Sequence, residues 1–173
     1  MKLFAAVLLA LAVAGPAAGA APQPARPVAT SLFSGRWYEI ARTPNLNQRD
    51  CQGATSDFSG WRAGAFVVTQ TCHHGSPGGW AQTFRAQGQV LAASGNAKLK
   101  LSFFGGMLSQ EYWILDHGDD DAWAIMATPG GHYVWLLARR PVLDGVTQTR
   151  ALGRISALGY DLKRLMYPQQ PGR

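Results

Sequence analysis

The chain is poor in the residues on which most chemistry depends. Its 173 residues include only two cysteines, Cys51 and Cys72. Neither stands near the N-terminus, where a lipid-anchored export protein would carry one. There are only two glutamates, Glu39 and Glu111, and of these a buried Glu39 is the candidate for a poised acid. A strand glutamate bonded across the end of a sheet is the other reading of that residue. No Gly-x-Ser-x-Gly elbow and no glycine-rich phosphate loop ahead of a helix appear, which removes the familiar hydrolase and nucleotide-binding frameworks. The net charge is +6, but the basic residues are dispersed and form no nucleic-acid-binding arm. That surplus still leaves room for peripheral contact with anionic membrane lipids. There are no internal repeats and no sign of a second domain.

Metal chemistry is equally thin. His73 and His74 are neighbours on a strand-like run, so their side chains point to opposite faces and cannot both reach one ion. The acidic stretch from Asp116 to Asp121 lacks the closing glutamate of a calcium loop and reads as a solvated turn. No cofactor and no metal ligand set is expected.

The N-terminus is different. "MKLFAAVLLALAVAGPAAGA" has one lysine, an apolar run from Leu3 to Ala14, a Gly-Pro break and small residues at Ala18 and Ala20. This is the pattern of a secretory signal peptide cleaved after Ala20. Its run is short of the roughly 20 residues of a membrane span. Residues 21–31, rich in alanine and proline, read as an extended leader, and residues 32–173 as a single domain. An exported protein with two cysteines suggests a disulfide. Cys51 and Cys72 flank two strand-like runs that turn near Gly60–Gly64, which places them nearly opposite each other, with a bulge to adjust the register. Two free thiols are the alternative.

Between Gly35 and Arg140 the chain reads as eight short strands separated by turn signals such as "GSPGG", "HGDD" and "PGG". Such a succession suits an all-β, eight-stranded antiparallel up-and-down barrel. Within "WYEIA", alternation puts Trp37, Glu39 and Ala41 on one face and Tyr38 and Ile40 on the other. Both faces are therefore apolar and both must be covered. After Pro141, Val146, Leu152, Ile155 and Leu158 recur at roughly helical spacing behind Asp144 as a cap. One flanking C-terminal helix is expected over Gly145–Leu158, followed by an extended tail. An eight-stranded barrel can be filled by side chains or can hold one small ligand. Aromatic residues occur on nearly every strand, which fits either state. Polar residues scattered among them, Glu39, Gln70 and Ser102, favour a cavity.

Several motifs carry a resemblance. "GRWYEIAR" resembles the first lipocalin signature, and "YVWLLARRP" is similar to the last. "KLKLSFFG", "EYWILD" and the closing "GYDLKRLMYPQQPG" resemble the bacterial outer-membrane lipocalin and apolipoprotein D-like group. The likeness runs in order from Leu32 to Gly172. The middle signature departs from the family pattern, being replaced by "LDHGDDDAW". The resemblance implies a calyx that binds a small hydrophobic ligand, with Trp37 and Arg139 closing the barrel base. It matches Phe58, Gln70, Leu101, Tyr112 and Trp135 to pocket walls; Tyr133 and Leu137 join Trp135 by alternation. Glu39, Val68 and Phe103 complete the candidate ligand-binding set.

The resulting expectation is a soluble periplasmic or secreted carrier of fatty acid, lysophospholipid or similar lipid, monomeric or homodimeric, without nucleic-acid partners and not an enzyme. The alternatives are a lipocalin-fold enzyme acting on a bound lipid or isoprenoid, and a filled barrel serving interactions.

Overall fold

Eight strands alternate in direction around a closed barrel in the computed structural model, which describes residues 19–171. Most of the expected signal peptide lies outside the described residues. The strands are β1 (Gly35–Arg42), β2 (Cys51–Arg62), β3 (Ala65–His74), β4 (Ala81–Val90), β5 (Lys98–Phe103), β6 (Leu108–His117), β7 (Trp123–Ala127) and β8 (Val134–Ala138). Each pairs antiparallel with the next, and β8 closes on β1. Short turns make this order. The β2–β3 connection is two residues, Ala63 and Gly64, both at positive φ (49° and 84°), as a tight hairpin between twisted strands requires.

Strict up-and-down order puts alternate connections at opposite ends. The β1–β2, β3–β4, β5–β6 and β7–β8 loops lie at one end, here the mouth. The other turns and the entry to β1 lie at the base.

Two apolar layers follow from the two-faced strands. An inner cluster includes Trp37, Phe58, Phe66, Val68, Leu99, Leu101, Ile114 and Leu137. An outer cluster, with Ile40, Leu115, Ile125, Val134 and Leu136, lies beneath one helix. That helix, α1, spans Gly145–Ala157; the Asp144 carboxylate accepts the Thr147 amide at 2.9 Å at its start. At its end Gly159 (φ 90°) allows Tyr160 N to reach Ile155 O and Gly159 N to reach Ser156 O, a Schellman closure. Ala151 and Ile155 are the buried contacts. Val146, expected on this face, is exposed. It lies nine residues from Ile155, about two and a half turns, and so on the opposite side.

The leader is extended but not free. Ala21 N bonds to Pro129 O, Ala25 N to Leu115 O and Val28 N to Gly95 O, all within 2.9 Å. Ala21 and Val28 are buried against the barrel. The tail makes a 3-10 turn at Leu162–Arg164 and then a bridge between Met166 and Arg42.

Candidate functional site

Residues paired across adjacent antiparallel strands share a face, so the register defines the barrel interior. Phe58 faces Val68, Gln70 faces Phe84, and Val68 faces Ala86, itself opposite Phe103. Leu99 opposes Tyr112 and Ile114 opposes Met126. Met126 opposes Trp135, Ala124 opposes Leu137, and Leu137 opposes Glu39. The register thus brings Glu39, Phe58, Val68, Gln70, Leu101, Phe103, Tyr112, Trp135 and Leu137 onto one inward face. Tyr133 lies just before β8, its ring 6.1 Å from that of Trp135.

The base is plugged by aromatic rings. A 3-10 turn, Thr30–Phe33, leads into β1 and buries Leu32 and Phe33. The Phe33 ring stacks on Trp61 at 4.9 Å and on Phe66 at 5.2 Å. Gly88 stands opposite Phe66 in the register, and a Cβ there would come within 2.1 Å of that ring. Trp37 donates its indole N–H to Leu32 O at 3.0 Å. The Arg139 guanidinium lies 3.9 Å over the Trp37 ring and donates to Ser31 O and Ser34 O. One cation therefore ties the entering turn to the last strand.

A bulge in β1 changes what faces inward higher up. The register shifts between Glu39 and Ala41, so Ala41 falls opposite Leu136 in the outer layer, not on the Trp37 face expected from alternation. Arg42 takes the inward place opposite Trp135. Its fully buried guanidinium pairs with Glu39 and donates to Gln48 O and Cys51 O at 2.7 and 2.9 Å. Gln48 Nε2 donates to the other Glu39 oxygen at 2.8 Å, and Gln48 Oε1 accepts from Trp135 Nε1 at 3.1 Å. Burial pushes the Glu39 carboxyl up from its ordinary value, while Arg42 and Gln48 pull it back. Both carboxylate oxygens are already paired, and the network binds the β1–β2 connection to the barrel wall.

Exposure along the inner face is graded. Trp37, Phe66, Val68 and Leu99 near the base are 1–2% exposed. Gln70, Phe84, Phe103, Tyr112, Met126 and Trp135, nearer the mouth, are only partly buried, and Tyr133 is exposed. An inward side chain on a closed barrel meets solvent only if the interior opens to it. The inner face is thus closed by packing at one end and lined by partly exposed aromatic and aliphatic groups toward the other. Tyr112 meets Trp135 edge-on at 5.8 Å, and burial pushes its phenol up from the ordinary value.

Other candidates resolve differently. Cys51 and Cys72 are bonded, their Cα atoms 5.3 Å apart, and a register shift between Gln52 and Thr55 supplies the expected bulge. His74 stacks on Trp80 at 3.9 Å. Asp116 is held by Arg26 and by Arg154, at 3.2 and 2.7 Å. Asp119 bonds to Arg26, which keeps its carboxyl below the usual range. These groups border a cleft of about 410 Å³ outside the barrel; its charges are largely matched to one another, an unsuitable lining for an apolar ligand.

Phe33, Phe66 and Trp61 in the plug, Phe84 and Met126 on the wall, and Gln48 in the network were not singled out as site residues. Alternation from Val68 and Gln70 reaches Phe66 directly. Phe33 and Gln48 lie outside strands, where periodicity carries no signal.

Comparison with known proteins agrees with this geometry. The lipocalin-like domain profile matches residues 28–170. The outer membrane lipoprotein Blc of Escherichia coli is 27% identical over 178 residues, covering 99% of each protein. Mouse apolipoprotein D is 27% identical over 146 residues, covering 80% of this chain and 75% of that protein. Insecticyanin of the tobacco hornworm superposes with a TM-score of 0.71 at 19% identity, covering 89% of this chain and 88% of that one, a likeness of fold. With the closed barrel, its plugged base and its apolar interior in place, the chain belongs to the lipocalin family, whose members bind small hydrophobic ligands.

Proposed function

We propose that the protein is an exported carrier that holds one long-chain lipid, a fatty acid or lysophospholipid, inside the barrel. The observation that carries this reading is the graded inner face: packed and dry at the base, apolar yet open to solvent toward the mouth. A chain entering there would bury methylenes against Leu101, Phe103, Met126 and Trp135, at about 0.8 kcal/mol each before ordering costs. The polar inner groups, Gln70, the Tyr112 hydroxyl and the Gln48 side chain, suit a carboxylate or phosphate head held short of the base.

Export is supported by the signal-like N-terminus and by the disulfide, which fits an oxidising compartment. Both cysteines are in that bond. Among the described residues no helix is long and apolar enough to cross a membrane. A binding role without catalysis is supported by the state of Glu39, the inward carboxylate, which is paired on both oxygens.

Lipid extraction and native mass spectrometry of protein purified from the bacterial periplasm should find a single lipid per barrel. Trp135→Arg places an unpaired charge on the wall and should empty the barrel while leaving the strand content unchanged. Lipid-free protein that takes up no fatty acid or lysolipid at micromolar concentration would end the proposal.

A further inference from the structure

The exposed large apolar side chains are not scattered. Every loop at the mouth carries at least one: Leu46 in β1–β2, Trp80 in β3–β4, Phe104 and Met107 in β5–β6 with Leu108 opening β6, and Tyr133 in β7–β8. Met107 is 91% exposed and Leu46 79%. The three turns between strands at the base, residues 63–64, 91–97 and 118–122, present none. Among the described residues, the remaining exposed examples, Val142, Val146 and Tyr167, belong to the helix approach, the helix and the tail.

Charge is distributed in the opposite way. The four mouth loops (residues 43–50, 75–80, 104–107 and 128–133) hold one arginine and one aspartate, the adjacent Arg49 and Asp50. Otherwise they are largely glycine, proline and small polar residues. The base concentrates Asp116, Asp119, Asp120 and Asp121 with Arg26 and Arg154. Ionised groups are the costly ones to bring against hydrocarbon, and these four loops have almost none. Tryptophan and tyrosine, both on the rim, favour the boundary between water and lipid.

Two rim side chains are held outward. The Trp80 indole lies flat on His74, interplanar angle 7°. Phe104 sits at φ 50° and is 65% exposed. A bulky residue in that region is strained, and such strain persists where a function uses it.

We propose that this rim is a docking surface for a lipid bilayer, seating the open barrel mouth-down so that lipid passes between membrane and cavity without crossing water. The inference deepens the lipid-carrier reading and rests on it for the direction of traffic. A bilayer fits better than a second copy of the chain. The apolar groups stand on separate loop tips around an opening, and a rigid partner would bridge a void that fluid acyl chains fill.

The test is flotation of the full mature chain with vesicles of phosphatidylcholine alone and of phosphatidylethanolamine mixed with phosphatidylglycerol. Binding to both is expected, with little loss between about 0.05 and 0.5 M salt, because the four loops are nearly uncharged. The combined variant Leu46→Ser, Phe104→Gly, Met107→Ser should bind vesicles at least about tenfold more weakly. It should still bind a monomeric fluorescent fatty acid in solution as the unmodified protein does. Wild-type protein that stays with the aqueous fraction, or a variant that floats equally well, overturns the proposal. So does dimerisation lost in the variant with no vesicle binding by either, which would assign the rim to a second copy. Loss of fatty-acid uptake by the wild type with vesicle binding intact would instead remove the carrier reading and leave docking standing.

Discussion

The two ends of the barrel are built on opposite principles. At the base, a 3-10 turn, four stacked or tilted aromatic rings and one arginine close the barrel. At the mouth, the loops are short on charge and large apolar groups point into solvent. The inner wall changes in step, from Val68 and Leu99 at 1% exposure to partly exposed Trp135 and exposed Tyr133. Packing density is spent where the barrel must not open; the other end gives up contacts that would have stabilised it. Stability and binding are therefore separable along a single axis, and substitutions should sort accordingly.

The largest effect should come from the plug. Trp37→Ala removes a ring 2% exposed and should cost about 3–5 kcal/mol in denaturant unfolding. Arg139→Ala should cost less, and the double-mutant cycle should give a coupling of about 0.5–2 kcal/mol. Strict additivity would show that the cation does not act through the indole.

The disulfide comes next. It joins β2 to β3 toward the mouth across 21 residues of sequence, and the paired change to serine should cost about 2–4 kcal/mol. Thiol titration of unfolded, unreduced protein should find none free.

The smallest effect belongs to the rim. Leu46→Ser and Met107→Ser should each change unfolding free energy by less than about 0.5 kcal/mol, since neither side chain is buried. Phe104→Gly should gain up to about 1 kcal/mol by releasing the left-handed backbone strain. A marked loss from any of the three would mean that the mouth contributes to the fold, and the contrast between the two ends would fail.

Much of this was legible in the sequence. Turn-rich punctuation and alternation indicated eight strands between Gly35 and Arg140, as the barrel has, and the Asp144 cap marked the start of α1. Three features were not. The β1 bulge could not be read from "WYEIAR", because both faces are apolar and either phase satisfies the pattern; with regular alternation Glu39 and Arg42, three apart, would face opposite sides. The leader composition indicated an extended chain but not that three of its amides bond to the barrel. The helix face was misplaced at Val146 because four apolar residues at irregular intervals fit more than one stripe. In the candidate site, alternation reached the wall residues within strands, while Phe33 and Gln48 come from connecting segments positioned by tertiary contact.

The central claim, that the barrel interior is a lipid cavity closed at the Trp37 end, is tested most directly by titrating delipidated protein with saturated fatty acids of increasing chain length. Affinity should rise by up to a factor of about four per methylene, following its burial free energy. The rise should stop once the chain reaches the Phe33–Phe66 plug, and Trp135 fluorescence should respond throughout. Affinity independent of chain length, or no binding at any length, would contradict the account and leave the barrel filled by its own side chains.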